Sequence, residues 1–133
     1  MAGALDGIRV LDMSRILAGP FCIQMLGDMG AEVIKIERPG HGDDTRKFGP
    51  PFLKDTEGND TTESAYYLSC NRNKRSVAID FTRPEGQAIL KKLMAQSDVL
   101  IENYKPGGLR KYGLAYDQIK ESFPHLVYAS ISG

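Results

Sequence analysis

Short apolar runs separated by polar turns organise this chain, some alternating as strands do and some recurring at helical spacing. The first run, Ile8–Leu11, carries Ile8, Val10 and Leu11 and is followed by the polar break Asp12–Arg15. Gly19 and Pro20 then turn the chain. Pro20 predicts a helix start, because its φ already suits a first helical turn and it has no N–H to leave unpaired. Cys22, Met25, Leu26 and Met29 recur at three- and four-residue steps and predict the apolar face of that helix, with Gly30 as a left-handed cap. A second strand, Glu32–Glu37, presents Val33, Ile34 and Ile36 and stops at Arg38, Pro39 and Gly40.

Between residues 39 and 69 the pattern lapses into a long polar segment with scattered Gly and Pro. Such a length belongs to a lid, a binding loop or a locally disordered excursion. Ala65–Leu68 returns to apolar residues that should pack onto the body. The basic run Asn71–Arg75 leads into a third strand, Ser76–Phe81. Thr82 and Glu85 have the spacing of a capping box, so a helix is expected from Arg83 to Gln96, burying Ile89, Leu90, Leu93 and Met94. A fourth strand, Val99–Glu102, helical turns at Gly108–Tyr112 and Tyr116–Ser122, and a fifth strand, Leu126–Ile131, follow. Strands alternating with helices imply an α/β fold, a mainly parallel sheet with flanking helices. Their near-continuous apolar character implies burial on both faces. A last strand with no closing helix reads as a chain cut short of its natural domain.

With 133 residues the chain is long enough for one cored domain, residues 1–133, and too short for two. Seventeen basic residues balance seventeen acidic ones, so net charge points to no nucleic-acid or membrane-surface partner. Cys22 and Cys70 lack the paired spacing of a metal site and read as free thiols of a reducing compartment. No apolar run approaches the roughly 20 residues of a membrane span, and the first residues lack the pattern of a signal peptide. A soluble cytoplasmic protein is expected, or a mitochondrial one if a presequence has been removed.

Ligands of open parallel sheets bind beyond the carboxyl ends of the strands. That rule selects Arg15–Pro20, Arg38, Ile79–Thr82 and Asn103–Lys105. Arg38 is either a bidentate phosphate ligand or a solvated arginine; Tyr104 is either a stacking ring or core; Asn103 is either a ligand contact or a turn residue. Arg72, Lys74 and Arg75 stand at the amino end of their strand, which favours a structural or subunit contact. Glu37 lies near the distance of a ribose-holding acid, yet ILAGPFCIQ lacks the glycines of a dinucleotide turn. His41 and His125 accompany no nucleophile elbow, and Asp43 and Asp44 read as solvated acids.

Four segments, GIRVLDMSRILAGPFCIQMLGDMGAEVIKIERPGHGD, CNRNKRSVAIDF, DVLIENYKPGGLRKYGL and PHLVYASISG, resemble in order the N-terminal part of class III CoA-transferases, the formyl-CoA transferase and carnitine CoA-transferase family. The resemblance implies a Rossmann-like, truncated N-terminal lobe of a longer polypeptide that forms interlocked homodimers, with acyl-CoA and a carboxylic acid as partners and no metal. It implies that coenzyme A is held by Leu17 and Ala18, Arg38, Ile79, Asp80, Phe81 and Thr82, Asn103, Tyr104 and Lys105, and Lys111. Leu17 stands where formyl-CoA transferase has a glutamine near the reacting acyl group, which points away from formyl-CoA and oxalate. The family mechanism passes through an aspartyl-CoA thioester. No acid of this chain matches that nucleophile, so no catalytic residue is expected here. α-Methylacyl-CoA racemases share the N-terminal CoA site but have a shorter connection where this chain has residues 39–69, which favours a transferase. A noncatalytic CoA-binding fragment is the third reading.

Overall fold

The computed structural model describes residues 3–132. In chain order the elements are β1 (Arg9–Met13), α1 (Ala18–Asp28), β2 (Glu32–Glu37), β3 (Phe52–Lys54), β4 (Asp60–Ser64), α2 (Ala65–Cys70), β5 (Lys74–Ala78), α3 (Pro84–Met94), β6 (Val99–Glu102), α4 (Tyr116–Ile119) and β7 (Val127–Ser130). Five parallel strands form one sheet in the order β5-β2-β1-β6-β7, and β3 and β4 pair antiparallel beside it. The α/β fold, a mainly parallel sheet with flanking helices, is the one expected.

Period-two alternation along the strands makes two cores. Leu11, Met13, Ile34, Ile36 and Leu100 face Leu90 and Met94 of α3, while Val10, Val33 and Ile101 face Ile23 of α1. Register keeps each set on one face: Val10 sits opposite Val33 and Val99, and Leu11 opposite Ile34 and Leu100. Burying each such side chain contributes about 1.5–3 kcal/mol.

Several details depart from the sequence pattern. Helix α1 begins at Ala18, ahead of Pro20, and its expected apolar face is turned outward: Cys22, Met25 and Met29 are exposed, and Gly19, Pro20, Ile23 and Gln24 are buried. The Gln24 amide explains the rotation. It donates to the Ser69 carbonyl at 3.0 Å and accepts from the Arg72 N–H at 3.1 Å, so a polar residue holds an inward position. The end of α1 matches expectation. Gly30 adopts φ 105°, and the Gly30 and Ala31 N–H groups return to the carbonyls of Gly27 and Leu26.

Strand β1 continues through the expected polar break, so Asp12 lies inside the sheet and is fully buried beside Lys35 of β2. The third sheet strand starts at Lys74 and ends at Ala78, and as an outer strand it is mostly exposed. Thr82 does not cap α3. Its hydroxyl donates to Asp80 at 2.6 Å, and the helix opens at Arg83 and Pro84 without a side-chain cap. Ile89 is exposed, because the buried line of α3 runs Gly86, Leu90, Met94. The polar excursion folds into a 3-10 turn at Asp44–Lys47, the β3–β4 hairpin and α2, which returns Tyr67 and Cys70 to the interior. The last helix is shorter than expected, ending at Ile119.

Candidate ligand-binding cleft

Strands β2 and β6 flank β1 on opposite sides, and the chain winds outward from β1 in both directions. The carboxyl ends of β1 and β6 are therefore the switch point where an open sheet leaves a crevice. The turn after β1, Ser14–Leu17, and the first residues of α1 are held there by five side chains. Asp12 accepts from the Ser14 N–H and hydroxyl at 2.9 and 2.6 Å, and Lys35 donates to the Ser14 carbonyl at 3.0 Å. Asn103, across the switch point, accepts from the Arg15 N–H at 2.8 Å and donates to the Arg15 carbonyl at 2.6 Å. Asp43 accepts from the Ile16 N–H at 3.3 Å, and Lys74 donates to the Pro20 carbonyl at 2.8 Å. Within this frame Ile16 takes φ 70°, a left-handed conformation unfavourable for a β-branched residue. Side-chain Cβ atoms are excluded at Gly19, because one there would overlap the Ser14 side chain.

Four buried charges stand behind the turn. Lys74 Nζ lies 2.9 Å from Asp12, and Lys35 Nζ lies 3.8 Å from Asp12 and 3.0 Å from Asp43. Burial pushes the Lys74 ammonium down, against the pull of Asp12. Burial also pushes the Asp43 carboxyl up, but Lys35 and the two Thr45 donors outweigh it and hold it below the usual range. Two cations and two anions balance, which is how charge survives inside the sheet.

In front of the turn, a cleft of about 390 Å³ opens between the ends of β1, β2, β5 and β6. Its apolar part is aromatic: Phe81 meets Tyr104 and Tyr112 edge-on, with ring centroids 5.8 and 5.4 Å apart. The Arg15 guanidinium covers Tyr104 at 4.8 Å, and Lys111 approaches Tyr112 at 4.8 Å. Arg38 and Lys105 complete a cationic rim. Asp44 approaches Arg15 and Arg38 from the same side, at 3.4 and 3.5 Å. A floor for a planar ring beside a rim of cations suits a ligand with a base and phosphates.

The structure brings together Arg38, Ile79, Asp80, Phe81, Thr82, Tyr104, Lys105 and Lys111 around this cleft. Leu17 and Ala18 stand exposed at the start of α1, outside the lining. Asn103 spends its amide on the Arg15 backbone, the turn-residue alternative. Tyr104 combines both of its readings, half-buried yet lining the cleft.

Glu37 is no free ribose acid. Arg46 reaches it at 2.8 Å, and Tyr67, Ser76 and the Asp43 N–H also donate to it. Burial raises its pKa, but those donors outweigh burial and bring it down to about 2. Asp43, read from sequence as solvated, is buried; its neighbour Asp44 faces the cleft. Tyr112 was not legible as a lining residue, since only the 3-10 turn over Arg110–Tyr112 aims it inward. Arg72 and Arg75 pair with Asp28 and Glu32 within the chain, the structural one of the two contacts, structural or between subunits, expected at the amino end.

Comparison with known proteins now settles the family. The pattern of CoA-transferase family III matches residues 5–133. The chain belongs to that family. It is 54% identical over 129 residues to human succinyl-CoA:glutarate CoA-transferase, covering 97% of this chain and 28% of that protein. It is 50% identical to succinate–glutarate CoA-transferase of Agrobacterium fabrum, covering 97% and 32%, and 42% identical to formyl-CoA:oxalate CoA-transferase of Rhodopseudomonas palustris, covering 100% and 30%. The crystal structure of a CAIB/BAIF family protein from Brucella suis superposes with a TM-score of 0.91 at 50% identity, over all of this chain and 34% of that one. This family III chain thus spans about a third of the length of the relatives it matches, as an N-terminal portion. Among the described residues no helix is long and apolar enough to cross a membrane, and no cluster of His, Cys, Asp or Glu could hold a metal ion.

Proposed function

We propose that this chain is the N-terminal coenzyme A-binding lobe of an acyl-CoA:carboxylate CoA-transferase. The observation that carries the reading is the aromatic, cation-rimmed cleft at the switch point, built from the strand-end residues where the family resemblance puts coenzyme A. Phe81, Tyr104 and Tyr112 supply surface for the base. Arg15, Arg38, Lys105 and Lys111 supply charge for the phosphates. The start of α1, with Leu17 and Ala18, guides the pantetheine arm toward the reacting end.

In this reading a carboxylate nucleophile outside these 133 residues attacks the acyl-CoA carbonyl and expels the CoA thiolate, leaving a mixed anhydride. The thiolate returns to the enzyme acyl group, releasing the donor acid and leaving an aspartyl-CoA thioester. The acceptor carboxylate reverses both steps. This lobe does no bond chemistry. It holds and orients coenzyme A through the residues of the cleft.

Dicarboxylic acids are the proposed substrate class. The more similar relatives are named for succinyl-CoA with glutarate, and the formyl-CoA:oxalate relative is less similar. An apolar Leu17, half-exposed at the turn, suits an acyl chain longer than formyl. The outward stripe of Leu17, Phe21, Met25 and Met29 on α1 supports burial against other parts of an interlocked homodimer, and the free thiols Cys22 and Cys70 support a reducing, cytoplasmic setting.

The test is to incubate the chain and its complete gene product separately with succinyl-CoA and glutarate, with hydroxylamine to trap any enzyme thioester. Transfer by the complete product alone is expected. Transfer by the 133-residue chain would contradict the external nucleophile. Epimerisation of a branched acyl-CoA without transfer would favour the racemase reading.

A further inference from the structure

Two non-glycine residues have a left-handed backbone among the described residues, Ile16 at φ 70° and Asn73 at φ 59°. Asparagine takes that conformation readily; a β-branched isoleucine does not, and such strain persists only where the surroundings impose it. Packing does not demand it here, since Ile16 is half-buried and belongs to neither apolar core. The two groups that grip its backbone both come from the polar excursion, one near the start and one at the end. Asp43 Oδ1 accepts from the Ile16 N–H at 3.3 Å, and Cys70 Sγ lies 3.7 Å from the Ile16 carbonyl. Asp43 is the firmly anchored one. Its carboxylate is 0% exposed and stands 3.0 Å from Lys35 Nζ, and it also accepts from the Thr45 N–H and hydroxyl at 3.0 and 2.8 Å. Its own N–H donates to Glu37 at 2.7 Å. So held, Asp43 cannot follow Ile16 toward a relaxed conformation, and the chain leaves the strained residue with Leu17 exposed at the opening of α1.

We propose that Asp43 is a positioning residue of the transfer reaction. By holding Ile16 left-handed it fixes where Leu17 and the first residues of α1 stand, and with them the thioester end of the acyl-CoA. The proposal rests on the CoA-transferase reading, in which the pantetheine arm runs past Leu17 and Ala18. Asp43 acts through Ile16 and not on the ligand, because its carboxylate is closed to solvent and committed to Lys35, Thr45 and Ile16. Asn103 and Asp43 divide the turn between them. Asn103 grips the Arg15 backbone, whose guanidinium serves the cleft, and Asp43 grips the next residue, which leads to the reacting end. Loss of the Asp43 acceptor therefore falls more heavily on turnover than on coenzyme A affinity. A small displacement at the reacting end slows the reaction steeply, while the base and phosphates keep their own contacts.

The test compares variants of the complete gene product in succinyl-CoA:glutarate transfer, with coenzyme A affinity from titration calorimetry and folding from thermal melts. Lys35→Met/Asp43→Asn and Lys35→Met/Asp43→Leu both remove the buried charges as a pair, and they differ in the acceptor that faces the Ile16 N–H. The leucine variant should have a kcat about tenfold or more below that of the asparagine variant, with smaller changes in KM for succinyl-CoA and in coenzyme A affinity. Ile16→Asn added to the leucine variant should recover much of the loss, because asparagine enters the left-handed region unaided. Thr45 also loses its acceptor in the leucine variant, but a change at Ile16 would not repair that, so recovery assigns the effect to the turn. Where the leucine variant does not fold, Ile16→Pro decides. Proline at this position outside both cores sets φ at about −65° and offers Asp43 no N–H, and it should lower kcat in the same way. Equal kcat in the asparagine and leucine variants, a fall in affinity as large as the fall in kcat, no recovery with Ile16→Asn, or full turnover by Ile16→Pro would each overturn the proposal and leave the transferase reading standing. Absence of transfer by the unaltered complete product would overturn that reading and the proposal with it.

Discussion

Lys35 and Asp43 meet at 3.0 Å with side-chain exposures of 1% and 0%, and this pair ties the polar excursion to the centre of the sheet. The same ammonium donates to the Ser14 carbonyl, so one residue fixes both the excursion and the turn before α1. Lys35→Met leaves Asp43 buried without its counter-ion and removes one of the two cations beside Asp12. A loss of about 3–5 kcal/mol is expected in urea denaturation. The double variant Lys35→Met/Asp43→Asn, which keeps the Oδ1 acceptor for Ile16 and Thr45, should lose less than Lys35→Met alone, because it removes charge in pairs. Equal or larger loss in the double variant would mean that the ion pair is net stabilising.

Asn103 makes two hydrogen bonds to the Arg15 backbone across the switch point and does not line the cleft. Asn103→Ala should cost about 2–4 kcal/mol, since two backbone groups lose their partners. It should also weaken coenzyme A binding by freeing the turn that presents Leu17. Affinity unchanged in a destabilised variant would show that the turn is not part of the ligand site.

Arg38 contrasts with these buried groups. With 62% of its side chain exposed and one 3.5 Å contact, it adds little to the fold. Arg38→Ala should leave the denaturation midpoint unchanged while lowering coenzyme A affinity about tenfold or more, measured by titration calorimetry. Unchanged affinity would return Arg38 to the role of a solvated surface charge.

Glu37 makes stability depend on acid. Its carboxyl has an ordinary pKa of 4.5 and is held at about 2 in the fold. The stabilisation is complete above the unfolded value and is lost as pH falls through 4.5 toward 2, because the unfolded chain takes up the proton first. The loss is at most about 3 kcal/mol. Thermal melts between pH 6 and pH 2 should show it, and Glu37→Gln should be less stable at pH 6 with a flatter profile.

The sheet was legible because its strands are short apolar runs bounded by turn residues, and their topology alone selected Arg15–Pro20, Arg38, Ile79–Thr82 and Asn103–Lys105, of which Asn103 turned out to hold the Arg15 backbone. What sequence could not show was where polar residues go inside. Lys35 and Asp12 sit in strands that count as apolar on average, Gln24 holds an inward helix position, and Asp43 is buried by a partner eight residues away across a turn. These placements depend on long-range pairing, which composition and periodicity do not encode. The same holds for α1: the stripe read as its apolar face points out, because the inward line runs Gly19, Pro20, Ile23 and Gln24.

Backbone amide chemical shifts of the isotopically labelled chain, recorded as coenzyme A is added, test the central claim most directly. The account predicts perturbations at Leu17–Gly19, Arg38, Ile79–Thr82, Tyr104–Lys105 and Lys111, with Arg72–Arg75 at the amino edge unmoved. Perturbations confined to the amino edge, or none at millimolar coenzyme A, would contradict it.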